Sequence, residues 1–360
     1  MGNWVKVNIK DILKILYGKD YKDQGAGNIP VYGTGGIMCY INNYLCNWNC
    51  VCIGRKGTIN KPIYIDQPFW CVDTLFYSKA KNDNSPKFQY YLFQTINWDK
   101  LNEASGVPSL SSSTIENIKI FIPNTDEQKR ITDFLSLIDQ RIDTQSKIIE
   151  DLDTLKNSIM DQLLMRDIFD EISIKDFINQ GYARIIKASE MKKFSGEKLY
   201  LSTSSIDKNG IFKIECKITY NDRPSRASMI PIKNSIWFAK MKDSIKVYKS
   251  ENDDESKYIL STGFYGILCN EDVVNPDWMV EIFKSNYFNN QKDRFSEGSS
   301  MSGIKENQLE DIKVKLFKNK NLEKKYCQLF YILNKKLNVE TDYLEKLKEQ
   351  NKYLLSNMFI

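Results

Sequence analysis

From Asp126 to about Leu164 the chain contains no Gly or Pro, and apolar residues recur in alternating steps of three and four: Ile131, Leu135, Ile138, Ile142, Ile149, Leu152, Ile159 and Leu163. This spacing predicts a long helix with an a/d seam. Gln145 and Lys156 interrupt the seam. Pro123 followed by a Thr125-x-x-Gln128 capping box, with acidic residues in the first turn, marks the predicted start. Near the C-terminus the pattern returns as Tyr326, Phe330, Leu333, Leu337, Leu344, Leu347, Leu354 and Met358, with polar breaks at Glu340 and Asn351. Each of these positions is a position of the first seam plus 195, breaks included. Any two long amphipathic helices share a period, but not the places where it fails. The pattern therefore points to one unit duplicated.

The segments before the helices repeat as well: EASGVPSLSSSTIENIKIFIP at 103–123 and EGSSMSGIKENQLEDIKVKLF at 297–317. Ser113 with Glu116, and Asn307 with Glu310, have capping-box spacing, so each copy is expected to open a helical turn. Each then passes through an alternating strand into its long helix. Upstream, runs such as NCVCIG, PIYID, FWCVDTLFY, KLYLSTS, IFKIEC, SIWFAKMK and YGILC read as strands punctuated by Gly, Asn, Asp and Pro. SPKFQYYLFQTI and PDWMVEIFKSNYF read as helices. The expected fold class is α+β: two mixed α/β globules (1–122 and 166–316), each delivered onto a long helix (123–165 and 317–360). The helices are expected to pair as an antiparallel coiled coil in a pseudo-two-fold internal repeat.

Composition removes several functions. Of 360 residues, 42% are hydrophobic and 27% charged, which suits globular domains. No apolar run approaches the ~18 residues of a membrane span. The N-terminus lacks the apolar region of a signal peptide, and Lys6 stands where myristoylation needs Ser or Thr. A cytoplasmic, membrane-free protein is the expectation. There is no histidine, so a Ser-His-Asp triad is impossible. YGTGGI lacks the Lys-Ser/Thr ending of a phosphate loop. NPDWMVEIFK has the wrong spacing for a nuclease carboxylate cluster. Cys39, Cys46, Cys50, Cys52 and Cys71 lie close in sequence but form no Cys-x-x-Cys pair. They read as buried free thiols rather than zinc ligands, with Cys50 and Cys52 on one strand face. No catalytic residue, metal or cofactor is expected in this chain.

Net charge is +5, unevenly spread: helix 126–164 carries −4 and helix 322–360 carries +2, which leaves +7 for the rest. A polyanion would therefore meet the globules. In the first, Gly54-Arg55-Lys56-Gly57-Thr58 places two cations between glycines, where backbone can approach closely and Arg can bind guanine in bidentate fashion. In the second, Lys240 and Lys242 follow a buried strand in the corresponding place, and Arg223 and Arg226 add to them. Tyr32, with Tyr40 and Tyr44, offers ring or hydroxyl contacts. Each of these residues is also consistent with an ordinary solvated surface position.

IPVYGTGGI, IGRKGTI, PFWCVDTLFY and IFIPNTDEQKRITDFLSLIDQRID, in the order globule, helix, globule, helix, resemble the specificity subunit of type I restriction-modification systems. The second junction, LFKNKNLEKKY, lacks the Pro and the Glu-Gln pair. The resemblance implies a non-catalytic subunit whose two target-recognition domains each read half of a split site in double-stranded DNA. The GRKG-like loop would face DNA. The helices would act as spacer and docking surface for two modification subunits. Those partners would bind S-adenosylmethionine, and separate restriction subunits would use ATP and Mg. Ile131, Leu135, Ile138, Ile142, Ile149, Leu152, Leu333, Leu337, Leu344 and Leu347 would serve helix pairing and docking. A helix of this length spans roughly 58 Å, more than the ~34 Å turn of B-DNA.

Two other readings stand beside this one. A specificity-like subunit could serve another methyltransferase or nuclease system. A coiled-coil protein-interaction scaffold would leave the basic loops unexplained. An adenine methyltransferase in its own right would need an Asn/Asp-Pro-Pro-aromatic motif, which is absent.

Overall fold

The computed structural model describes residues 4–207, 210–211, 214, 216–295 and 304–359. In the first half, β1 (Val5–Asn8), α1 (Ile9–Ile12), β2 (Leu13–Tyr17), β3 (Ala26–Gly33), β4 (Gly36–Ile41), β5 (Cys50–Gly54), β6 (Ile63–Ile65), β7 (Trp70–Cys71) and β8 (Leu75–Ala80) precede α2 (Pro86–Thr95). Then come α3 (Ser112–Glu116), β9 (Lys119–Ile122) and the long α4 (Thr125–Leu164). The second half begins with β10 (Phe169–Ser173), α5 (Ile174–Asn179), β11 (Ala183–Ile186), β12 (Lys198–Leu201), β13 (Ile206–Asp207), β14 (Gly210–Ile211), β15 (Cys216–Ile218), β16 (Ala227–Met229), β17 (Ile236–Ala239) and β18 (Val247–Lys249). It continues with α6 (Asp254–Lys257), β19 (Tyr258–Ser261), β20 (Phe264–Cys269), α7 (Pro276–Lys284), α8 (Asn286–Phe295), α9 (Glu306–Glu310), β21 (Lys313–Phe317) and the long α10 (Lys320–Met358).

The chain divides into two compact units, Met1–Ser146 with Asp342–Ile360, and Lys147–Thr341. Each unit thus owns half of each long helix. The sheets repeat. The order β2-β8-β5-β6 in the first unit matches β11-β20-β17-β18 in the second, and the antiparallel two-stranded pair β1-β9 matches β10-β21. β4-β3-β7 matches β15-β12-β19-β16, and the one parallel pairing of each, β3 with β7 and β12 with β19, falls in the same place. In each unit a strand pair therefore ties the start of the globule to the strand that feeds its helix.

The first core joins Ile9, Leu13, Val51, Phe76, Phe88, Phe93 and Trp98 to Ile131 and Leu135 of α4, with Leu354, Leu355, Met358 and Phe359 packed against it. The second joins Ile174, Phe177, Ile267, Trp278 and Phe288 to Met160, Leu163 and Phe330. Within each unit the helix halves run antiparallel. Asp139 meets Asn351 in the first, and Lys156 meets Asn334 and Arg166 meets Tyr326 in the second.

Several local expectations are corrected. The long helix is capped by Asn124, whose Oδ1 accepts the Glu127 N–H at 2.9 Å, not by Thr125. Ser113 lies inside α3. Its N-cap is Ser111, which accepts the Thr114 N–H, and Glu103 closes the cap by accepting the Ser111 N–H and hydroxyl. Lys305 rather than Asn307 is the N-cap of α9, with Gln308 Oε1 accepting the Lys305 N–H. PDWMVEIFKSNYF forms two helices because the chain turns at Ser285. Residues 212, 213 and 215 of IFKIEC and the GSSMSG segment lie outside the described residues.

Candidate nucleic-acid interface

In the first unit the loop after β5 is pinned on both sides. The Arg55 and Lys56 N–H groups both donate to the Thr74 carbonyl, at 2.7 and 3.2 Å. The Gly57 N–H donates to Pro108 O (2.8 Å), and the Leu110 N–H donates to Arg55 O (2.9 Å). Gly54 is required, because a Cβ there would stand 2.1 Å from Thr58 O, and Gly57 has φ +94°, where an L side chain is strained. With its backbone bonded in this way, the loop presents the Arg55 and Lys56 side chains. The Arg55 guanidinium lies 5.6 Å from the centre of the Tyr17 ring and donates to Asp73 O. Lys56 is exposed and Thr58 is half-buried.

The facing loop is ordered by its own bonds: the Glu103 N–H reaches Ser109 O, and Asn102 Oδ1 accepts the Ala104 and Ser109 N–H groups. It holds Val107 at 68% exposure beside Gly57. Tyr32 turns inward, packing edge-on against Phe69, while Tyr40 and Tyr44 are exposed.

The second unit repeats the backbone pattern. The Lys240 N–H donates to Gly263 O (2.9 Å) and the Ile304 N–H donates to Lys240 O (3.0 Å). Lys240 thus holds the place of Arg55, Gly263 that of Thr74, and Ile304 that of Leu110. Its ammonium lies 5.9 Å from the centre of the Tyr265 ring. Lys242 is exposed. Arg226 O accepts the Thr262 N–H, so Arg226 and Lys240 flank one turn. Arg223 stacks 4.2 Å from the Tyr220 ring and donates to Tyr220 O.

Two residues that sequence reading missed hold this loop from α8. Lys292 Nζ donates to Ser244 O (2.6 Å), and Asp293 Oδ1 accepts the Asp243 N–H (3.1 Å). Burial pushes the Lys292 ammonium down to about 8, partly opposed by Asp293 and Asp243. Only their placement on a helix after the second globule's strands hinted at them.

Cys46, Cys50, Cys52 and Cys71 pack with Phe69, Leu75 and Tyr77 in one buried cluster. Burial drives the Cys52 and Cys71 thiols up, and hydrogen bonding to Cys50, then burial, drives Cys46 up, so they are inert as nucleophiles. Among the described residues no group of three or more His, Cys, Asp or Glu side chains is placed to hold a metal, and no helix is long and apolar enough to cross a membrane.

Residues 1–154 match the family described as type I restriction modification DNA specificity domain. The chain is thus similar, over its first 154 residues, to a type I specificity domain. It is 27% identical over 201 residues to a type I restriction enzyme specificity subunit of Methanocaldococcus jannaschii, a match covering 48% of this chain and 44% of that protein. It is 28% identical over 138 residues to a putative type I specificity subunit of Mycoplasma pneumoniae, covering 35% and 45%. The chain thus matches less than half the length of these curated relatives. In fold it resembles the crystal structure of a type I restriction-modification S subunit from M. genitalium, with TM-score 0.63 and 15% identity over 100% of this chain and 96% of that one. A structure describing assembly and conformational transition of the type I R-M system has TM-score 0.52 and 11% identity over 98% and 96%.

The matched residues end inside α4, whereas the two units divide it between Ser146 and Lys147. In the first unit Ile131, Leu135, Ile138 and Leu347 are buried, while Ile142 and Leu344 are half-buried. In the second, Ile149, Leu152, Leu333 and Leu337 are all half-buried. The seam breaks have partners. Lys156 Nζ bonds Glu281 (2.9 Å) and Asn334 (2.6 Å), and Asn334 Nδ2 donates to Glu281. In the first unit, the Tyr91 hydroxyl donates to Asp139 (2.6 Å), which also accepts from Asn351. Asn351 and Asn334 stand 195 positions after Lys156 and Asp139, so the two polar clusters are copies of each other.

Proposed function

We propose that this chain is the DNA-reading subunit of a type I restriction-modification complex, with each globule reading one half of a split target. What carries the reading is the shared backbone position of Arg55 and Lys240, each at the end of a buried strand and each bonded to the same two neighbouring segments. A cation presented twice, on two copies of one scaffold, suits a polyanion with two half-sites. The chain itself is non-catalytic and needs no cofactor of its own. S-adenosylmethionine, ATP and Mg belong to partner subunits, and the complex works in the cytoplasm.

Two modification subunits dock on the helices. In the first unit Phe134, Leu137 and Tyr343 are exposed; in the second, Leu329, Ile332 and Ile148 are. These residues are 195 positions apart pair by pair, so the chain offers two equivalent apolar patches, which suits two copies of one partner. The restriction subunits join that assembly.

The test is to assemble the chain with its modification subunit and map methylated adenines by single-molecule sequencing. The expected product is methylation at a bipartite sequence with a fixed gap. Methylation at one contiguous sequence, or transfer by the chain alone, would overturn the proposal.

A further inference from the structure

The GTGG turn of the first unit plays no part in the contacts described so far, yet it is built in an unusual way. β3 and β4 close on the Gly33–Gly36 pair through a two-residue turn, Thr34-Gly35, with Gly36 at φ +113°. Three glycines near the tip keep the ribbon thin. A Cβ on Gly35 or Gly36 would meet nothing, while Met38 lies across Gly33 with its sulfur 2.7 Å from where a Cβ would stand. β4 is an edge strand, in the order β4-β3-β7. Ile37 pairs with Tyr32 and Cys39 with Val31, so Met38 is the extra residue of a β-bulge and the regular alternation of faces is interrupted there. Both are about half exposed, at 49% and 57%, so neither side chain is taken up by a core. The tip touches the basic loop: Thr34 Oγ1 stands 3.3 Å from where a Cβ of Gly57 would be.

A half-exposed apolar pair at a ribbon tip can bind neither phosphate nor a hydrogen-bonding base edge. Duplex DNA offers one prominent apolar feature in a groove wide enough for a two-stranded ribbon, the C5-methyl of thymine in the major groove. Arg55 and Lys56 stand at the ribbon's side, where guanine or phosphate would fix its depth. We infer that the β3–β4 ribbon enters the major groove of the first half-site and reads thymine methyl groups with Ile37 and Met38. This rests on the reading of the first globule as a DNA-recognition domain.

The test uses the assembled complex and a duplex carrying the mapped target, with each thymine replaced singly by deoxyuridine. At least one replacement in one half-site should weaken binding about fourfold, the ~0.8 kcal/mol of one buried methyl group. Replacements in the other half-site should act independently of the ribbon. Ile37→Ser or Met38→Ser, both at exposed positions, should bind the thymine and uracil duplexes equally. The inference is overturned if no replacement in the half-site lost by Arg55→Ala is sensitive to the ribbon variants, including the case in which that half-site has no thymine. It is also overturned if the variants weaken binding while uracil makes no difference, as for a wedge between base steps. If Arg55→Ala leaves both half-sites intact, it is the DNA-recognition reading of the globule that fails.

Discussion

Gln128 and Glu323, 195 residues apart, hold the same bond. Gln128 Oε1 accepts the N–H of Ser85, which caps α2, at 3.2 Å, and Glu323 Oε1 accepts the N–H of Asn275, which caps α7, at 3.3 Å. Both side chains are buried, four residues after the asparagine that caps their own helix. Each long helix is thereby locked to the start of the helix that closes its globule. The remaining valences are filled differently: Gln128 Nε2 donates to Asn84 and Pro123, whereas Glu323 takes the Lys320 ammonium at 3.0 Å.

Gln128→Leu should be costly, because it leaves the Ser85 N–H and Asn84 Oδ1 without these partners inside the first unit. The expected loss is about 1–3 kcal/mol per orphaned group. Glu323→Gln keeps the acceptor for Asn275 and loses only a half-exposed ion pair, worth at most about 1 kcal/mol. Native-state hydrogen exchange at α2 and α7 distinguishes the two. Equal deprotection at both would refute the assigned roles.

The buried polar clusters make a second test. Lys156→Met strands Glu281 in the interior and should destabilise the second unit by about 3–5 kcal/mol. Adding Glu281→Leu should recover most of that, since an apolar pair can replace a buried ion pair. Tyr91→Phe in the equivalent cluster removes one bond to Asp139, which keeps its contact with Asn351, and should cost about 1–2 kcal/mol. Urea unfolding followed by exchange in each unit measures all three.

The long helices, their antiparallel pairing and the internal repeat were legible in the sequence, because a 3.6-residue period and its breaks are local signals. The polar breaks at Lys156 and Asn351 even marked the two copied clusters. The caps were not legible. Asn124 next to Thr125, and the run Ser111-Ser112-Ser113-Thr114, offer several residues able to cap, and at α3 it is the distant Glu103 that fixes Ser111 as the cap. The Glu323 lock was missed because a carboxylate replaces an amide: the chemistry of accepting an N–H is shared, but the letters differ. For the candidate interface, the basic loops could be read, but Tyr17 beneath Arg55 and Lys292 beneath Ser244 come from distant segments, and no local pattern announces them.

Lys292 gives a pH dependence with a defined sign. Its charged form is disfavoured in the fold, where its value falls to about 8, against ~10.5 in the unfolded chain. At this group the unfolded state therefore binds more protons between pH 8 and 10, and the Lys292 contribution to stability should rise with pH by up to about 3 kcal/mol. The thiols raised by burial, Cys52 and Cys71 among them, oppose it over the same range because they ionise first in the unfolded chain. Raised tyrosines, Tyr248 among them through burial, then Asp254, oppose it above about pH 10. Chemical denaturation between pH 8 and 10 should give Lys292→Met a slope of stability against pH that is less positive than that of the unsubstituted chain. An unchanged slope would remove Lys292 as its source.

The matched positions of Arg55 and Lys240 predict matched and separable losses. Arg55→Ala should weaken recognition of one half-site, and Lys240→Ala recognition of the other, each by about 1–3 kcal/mol where the contact is to a base. Binding to duplexes altered in one half at a time, at fixed salt, measures this. A loss that is uniform on all duplexes and shrinks as salt rises would move that residue to phosphate contact.

The last prediction concerns the helices as a ruler. The chain passes from one unit to the other at Ser146–Lys147 in α4 and at Thr341–Asp342 in α10. Because the helices pair antiparallel within each unit, an insertion in one alone would break the register of the other. One heptad inserted at both junctions keeps every seam residue on its face. It lengthens each helix by about 10.5 Å, the rise of about three base pairs. Methylation mapping with such a chain should find both half-sites unchanged and the gap wider by about three base pairs. An unchanged gap would mean that the helices do not set the spacing.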